Sequence, residues 1–289
     1  YLVDKGGKDG RMRCSYVIGG TETGRLSSRK SVFGTGSNLQ NVPPGVCRRM
    51  FVPDKGKVFL QPDLSQAEAR VVAYLAEETS MIGVFDRGED IHQLTADTLP
   101  KDFVPSGSAY LNVDNPKRLF AKKHVHAFNY GEYTKAFAER AGIPILLAET
   151  IRGKYFDTFP NIRAWQLRIQ SELGKSKTMT TPLGRKRTFF GRWGEQLFRE
   201  AYAYVPQSVV GDVLNYAMIR LYRDVPEIEF MLQIHDAFVI QCTNHSSVIQ
   251  ARIGQIREAF NIPISICGRE LVIPIEIKVG DNWEDMEKI

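Results

Sequence analysis

Two apolar runs that read as β-strands lie far apart in the chain, and each is followed closely by an aspartate. No other feature constrains the fold as much. Val58-Phe59-Leu60 leads into Asp63-Leu64-Ser65-Gln66-Ala67-Glu68-Ala69-Arg70. His235-Asp236 sits between Met231-Leu232-Gln233-Ile234 and Phe238-Val239-Ile240, a pattern that predicts a β-hairpin over 231–241 with the His-Asp pair near its turn. If both strand ends belong to one sheet, a carboxylate from each holds divalent cations between them. The sheet is then built from distant segments, and the residues between them form an inserted unit.

The rest of the chain fits that division. Residues 1–62 read as short strands and loops, broken by Gly6-Gly7, Gly19-Gly20 and the segment 31–36. A helix is predicted over 65–77, with Ser65 as N-cap, Glu68 completing a Ser-x-x-Glu capping box, and Val71, Val72 and Leu75 as its apolar stripe. Residues 78–192 read as mainly helical. Asn115-Pro116 opens one helix and Gly131 stops it. Residues 147–173 carry helical spacing broken near Phe159-Pro160, 208–223 a further helix, and 271–277 a further strand. Strands at both ends around a helical middle predict an α+β body with an inserted helical unit.

Within the helix that starts at Pro116, Arg118, Lys122, His126 and Tyr130 recur every fourth residue and share one face, while Phe120, Ala121, Ala127 and Phe128 fall on an arc that faces the core. Arg118 and Lys122 alone would read as solvated surface charges. A cationic stripe that ends in rings suits a triphosphate at one end and a base or sugar at the other. Carboxylates for metal and cations for phosphate together point to phosphoryl transfer. A net charge of +5 permits a nucleic-acid partner without requiring one. The four cysteines form no CxxC pair, which argues against a zinc site or disulfide framework and predicts reduced thiols in a cytoplasmic protein. No apolar run reaches the roughly 18 residues of a membrane span, and no signal peptide is present. The chain opens on Tyr1 rather than Met, which predicts a piece of a longer protein.

Taken in order and spacing, Asp63 to Arg70, Arg118-x3-Lys122-x7-Tyr130-Gly131 and His235-Asp236 resemble the three polymerase motifs of family A DNA polymerases, the relatives of bacterial DNA polymerase I. Thr23-Gly24-Arg25-Leu26-Ser27-Ser28, Asn38-Leu39-Gln40-Asn41-Val42-Pro43, Asp90-Ile91-His92, Gly184-Arg185-Lys186-Arg187, Pro206-Gln207-Ser208 and Val279-Gly280-Asp281-Asn282-Trp283 extend the resemblance over essentially the whole chain. It implies a right-hand polymerase architecture: an antiparallel-sheet palm from 1–76 and 193–289, mainly helical fingers from 77–192, and a thumb largely missing, with Tyr1 entering where the chain returns from the thumb.

The resemblance also implies roles. Asp63 and Asp236, helped by the Leu64 carbonyl, would bind two magnesium ions, with manganese able to substitute. Arg118, Lys122, His92 and Gln66 would contact the incoming triphosphate. Glu68 would exclude a ribose 2′-hydroxyl, Tyr130 would stack near the templating position, and His126 would lie against the sugar and base. Arg25, Gln207 and His235 would read the minor groove at the primer terminus, helped by Asn38, Asn41 and Arg199, since all four correct pairs present acceptors there. The implied partners are primer-template DNA and dNTPs, for a monomer in DNA replication or repair in a bacterial cell or phage-infected host, with no membrane.

Three positions depart from the family pattern. His126 stands where Phe or Tyr is common, which predicts altered discrimination against dideoxynucleotides. Ala237 follows Asp236 where Glu is usual, which predicts activity with weaker support around the metal. The segment from Arg29 to Gly36 is lengthened. On sequence alone, a single-subunit RNA polymerase and a non-catalytic polymerase-derived DNA-binding module stay open as alternatives. Glu68 argues against the first, and retention of Asp63, Asp236, Arg118 and Lys122 against the second.

Overall fold

The computed structural model describes residues 7, 9–106, 110 and 113–289, so Tyr1 lies outside the described residues. In chain order the strands are β1 (Ser15–Val17), β2 (Ser27–Arg29), β3 (Lys57–Leu64), β4 (Thr178–Thr180), β5 (Lys186–Thr188), β6 (Glu229–Ile234), β7 (Ala237–Thr243), β8 (Ile264–Ile266), β9 (Arg269–Leu271), β10 (Ile275–Gly280) and β11 (Glu287–Lys288). The helices are α1 (Val46–Arg49), α2 (Ala67–Leu75), α3 (Thr79–Asp86), α4 (Ile91–Asp97), α5 (Pro116–Asn129), α6 (Thr134–Ala141), α7 (Ile145–Thr158), α8 (Pro160–Ser176), α9 (Glu195–Asp224) and α10 (Ser246–Phe260). The chain divides into two compact units, one of residues 1–67, 208–263 and 272–289, the other of 68–207 and 264–271. Their limits fall within α2 and α9, and the second takes in the β8–β9 hairpin.

In the first unit a five-stranded sheet has the order β11-β10-β3-β7-β6, with every neighbouring pair antiparallel. β3 lies in the middle because Val58, Phe59 and Leu60 are apolar in succession, and all three are buried. Phe59 faces the cluster of Leu39, Val42, Leu232, Ile234, Val239 and Trp283. The alternate face, with Phe238, packs on α10, where Phe238 stacks on Phe260 at 5.7 Å. Pro62 has no N–H to donate, and the β3–β7 ladder is interrupted beside it, between Leu60↔Ile240 and Asp63↔Ala237.

The second unit is mainly helical. Asn115 caps α5 and Pro116 opens it. The buried face of α5 is Phe120, Ala121, His124, Val125, Phe128 and Asn129, so Ala127, expected in the core, is only half-buried. Phe128 meets Phe137 edge-on at 4.8 Å and Tyr155 at 5.4 Å. Each such ring removed would cost about 3–5 kcal/mol.

Several local expectations shift. α2 begins at Ala67, not at 65, because Gln66 takes φ +51°, outside helical space, so Ser65 lies in the preceding turn and its N–H donates to the Pro274 carbonyl at 2.9 Å. The strand expected over 271–277 is split, with Val272-Ile273-Pro274 unpaired between β9 and β10. α9 is longer than the helix expected over 208–223 and runs through Pro206. Every residue from 204 to 214 except Gln207 is buried, and that burial outweighs the hydrogen bond the proline removes. Among the described residues no helix is long and apolar enough to cross a membrane.

Candidate active site

Asp63 and Asp236 both lie in the first unit. Asp63 pairs with Ala237 across β3 and β7, and the Leu64 N–H donates to the Asp236 carbonyl at 3.2 Å. Asp63, near the end of β3, and Asp236, in the turn just before β7, therefore occupy adjoining backbone positions. The residue three after Asp63 and the one before Asp236 are both left-handed: Gln66 has φ +51° and His235 φ +45°. For residues with a Cβ such angles cost on the order of 1–3 kcal/mol each and persist only where surrounding structure holds them.

That holding structure is visible at the hairpin turn. The buried Gln233 amide donates to the His235 carbonyl at 2.8 Å, and Gln40 Nε2 donates to Gln233 Oε1 at 2.6 Å. Gln40 also donates to the Leu26 carbonyl at 3.1 Å and accepts from the Ser28 N–H at 3.0 Å. The Tyr16 hydroxyl donates to the Gln233 carbonyl and accepts its N–H, both at 2.8 Å. This network ties β1, the segment 26–28, the short 3-10 turn Leu39–Asn41 and β6 to the turn that carries His235-Asp236. In the 3-10 turn Leu39 and Gln40 are buried while Asn38 and Asn41 are exposed.

Arg25 Nη2 donates to Asp236 Oδ1 at 2.7 Å. The side chain reaches there over Gly211 of α9, where a Cβ would lie 3.0 Å from Arg25 Cγ. Two carboxylates and a backbone carbonyl are hard oxygen donors suited to magnesium. Among the described residues no three His, Cys, Asp or Glu side chains group as a metal cage. A cation at Asp63 and Asp236 would therefore take its remaining ligands from outside the chain.

Within the second unit, cations and rings gather along α4 and α5. Arg118 Nε and Nη2 each lie 2.5 Å from Asp90 Oδ2, while Asp90 Oδ1 accepts the His92 N–H at 2.9 Å and caps α4. Burial pushes the Asp90 carboxyl up, but the Arg118 and His92 hydrogen bonds outweigh it and hold the group below its ordinary value. His92 is 2% exposed. Burial, reinforced by His126, Lys122 and Arg118 against the pull of Asp90, lowers its pKa to about 3, so the ring is neutral at physiological pH. Its centroid lies 5.6 Å from that of His126.

Glu68 is where this face converges. The Tyr130 hydroxyl donates to Glu68 Oε2, and His126 Nδ1 lies 3.7 Å from the same oxygen. Lys122 is exposed, and an open groove of about 610 Å3 along α5 is lined by residues that include Lys122, His126, Tyr130 and Arg199. On α9, Arg199 is exposed and Gln207, eight residues on, is half-buried.

The end of α5 is held by groups that sequence reasoning missed. Gln166 Nε2 donates to the carbonyls of Phe128 at 2.7 Å and Asn129 at 3.0 Å, and the Tyr155 hydroxyl donates to Asn129 Oδ1 at 2.6 Å. Gly131 has φ +76°, and a Cβ there would lie 2.7 Å from the Tyr202 ring, so no other residue fits. Tyr155-Phe156 through Trp165 resemble a later fingers segment of the family, but nothing in that pattern marks the neighbouring Gln166 as a cap.

Residues 2–285 match the model of DNA polymerase family A. DNA polymerase I of Chloroflexus aurantiacus is 30% identical over 98% of this chain and 30% of its own length. The thermostable DNA polymerase I of Thermus aquaticus is 27% identical over 96% of this chain and 33% of its own. The chain thus spans about a third of the length of the curated relatives it matches. Among solved structures, the POL domain of Pol1 from M. smegmatis, in complex with DNA primer-template and dNTP, aligns with a TM-score of 0.82 at 23% identity, covering 98% of this chain and 50% of that one. At that identity the likeness speaks for the fold alone.

Proposed function

The chain belongs to DNA polymerase family A, and from that premise we propose that it is a template-directed DNA polymerase adding deoxynucleotides to a primer 3′-hydroxyl. Residues 1–76 and 193–289 serve as palm and 77–192 as fingers. The observation that supports this reading is the adjacency of Asp63, on β3, to the turn that carries Asp236 just before β7.

Asp63, Asp236 and the Leu64 carbonyl are the groups to hold magnesium ions, with manganese as a substitute. Bound there, such ions supply Lewis acidity for the primer hydroxyl and offset charge on the departing pyrophosphate. Arg25 now pairs with Asp236, so cation binding competes with that ion pair. Once released, Arg25 joins His235 and Gln207 at the primer terminus, with Asn38, Asn41 and Arg199 as further DNA contacts. Lys122 and Arg118 bind the triphosphate, with Gln66, and stabilise the charge that develops on it. His92 contributes a neutral hydrogen-bonding ring rather than a charge. Glu68, positioned by Tyr130 and His126, excludes the ribose 2′-hydroxyl, and Tyr130 stacks beside the new pair.

Extension of a labelled primer on DNA and RNA templates, with dNTPs or rNTPs and with or without magnesium, tests the proposal. Magnesium-dependent dNTP addition that disappears in Asp63→Ala is expected. Extension that survives Asp63→Ala, or that prefers rNTPs, would overturn it.

A further inference from the structure

The segment after β2 contributes none of the candidate site residues among positions 29–36. Its tip exposes two apolar side chains, Val32 at 78% and Phe33 at 86%. Solvent-exposed loop tips ordinarily carry small polar residues, and this one is held open by its own bonds. The Ser31 N–H donates to the Thr35 carbonyl at 2.9 Å, the Gly34 N–H to the Ser31 carbonyl at 3.0 Å, and the Ser31 and Thr35 hydroxyls lie 2.9 Å apart. At the base, Gly36 has φ +76° and sits so close to the Arg13 carbonyl that a Cβ would be 1.8 Å from it. The tip is therefore a short, internally closed turn on a fixed base that presents an aliphatic and an aromatic side chain outward.

Its charge says what it meets. Arg29 and Lys30 lead into the tip, both exposed, and no Asp or Glu lies between Arg29 and Asn41. Neither cation has an acidic partner among the described residues, whereas Arg13 at the base is already paired with Asp9 at 2.5 Å. A cation pair beside an outward ring is the chemistry of a nucleic-acid contact, with phosphates taken by the cations and bases or sugars by the ring. Arg29 lies four positions on from Arg25, the partner of Asp236, at most about 14 Å of extended chain away.

We propose that Arg29, Lys30, Val32 and Phe33 form a second contact with the primer-template duplex, in which Phe33 packs against sugar or base edges and the two cations meet phosphates. The proposal rests on the polymerase reading, and its failure is separable from the failure of that reading. Binding of a fluorescein-labelled primer-template is measured by anisotropy in an Asp63→Ala background, where no extension intervenes. Phe33→Ser should weaken binding roughly fivefold or more, and Phe33→Trp should retain it. Arg29→Ala with Lys30→Ala should lower the slope of log K against log salt by about two. Because Phe33 is exposed, thermal melting of each variant should match the parent, which separates lost contact from lost fold. If the parent binds and Phe33→Ser binds equally well, the loop contact is refuted while the polymerase reading stands. Unchanged DNA binding with altered sedimentation would assign the tip to protein contacts and refute it equally. A parent chain that binds no primer-template refutes the polymerase reading itself.

Discussion

Glu68 and His124 show how differently one helix treats its polar neighbours. Glu68 receives the Tyr130 hydroxyl and lies 3.7 Å from His126, so its carboxylate is fixed from the α5 side. Replacing it with alanine opens the volume it fills, and Glu68→Ala is expected to raise the ratio of ribonucleotide to deoxynucleotide incorporation by roughly tenfold or more, read from competing single-nucleotide additions. His124 is 1% exposed, with its ring 5.2 Å from Phe120, 5.4 Å from Phe128 and 5.9 Å from Phe137. Burial lowers its pKa to about 3, below the ordinary value of 6.5. The unfolded chain therefore binds more protons than the folded one between those values. Stability is full above pH 6.5 and falls as pH drops toward 3, by about 2 kcal/mol for this group between pH 7 and 5. Denaturation of His124→Leu at the two pH values should show a correspondingly smaller difference than the parent.

At the scale of elements, α5 was legible where its signals are local. Asn115-Pro116 and Gly131 mark its ends, and the fourfold spacing of Arg118, Lys122, His126 and Tyr130 marks its face. The parts that stayed hidden are buried amides acting across long separations: Gln40 on Gln233, 193 residues away, and Gln166 on the end of α5. A glutamine carries no periodicity and no turn preference, so its partner is known only once the fold is known. The same holds for the start of α2, where a left-handed Gln66 displaced a well-formed capping sequence. Gln166→Leu leaves the Phe128 and Asn129 carbonyls without their buried donor and is expected to cost about 1–3 kcal/mol in chemical denaturation. Gly131→Ala forces both a left-handed alanine and a collision with Tyr202, and should cost at least as much.

Over the whole molecule, the sheet joins strands drawn from both ends of the sequence, and the strand-ending aspartates foretold that union. The division into units did not follow from composition, because α2 and α9 pass through it as continuous helices. With a net charge of +5, binding of primer-template DNA should weaken by roughly tenfold or more between about 50 and 200 mM salt, measured by anisotropy. Both buried neutral histidines among the described residues belong to the second unit, so hydrogen-exchange protection factors, corrected for the intrinsic pH dependence of amide exchange, should fall around α4 and α5 at pH 5 relative to pH 7.

The left-handed backbone at Gln66 and His235 has an evolutionary corollary. Glycine adopts those angles freely, so Gln66→Gly or His235→Gly would relax the chain by up to about 1 kcal/mol. Selection for heat resistance alone would push both positions toward glycine. If the proposed roles of Gln66 and His235 hold, a glycine at either position would gain stability and lose the side chain that the proposal places beside the aspartates.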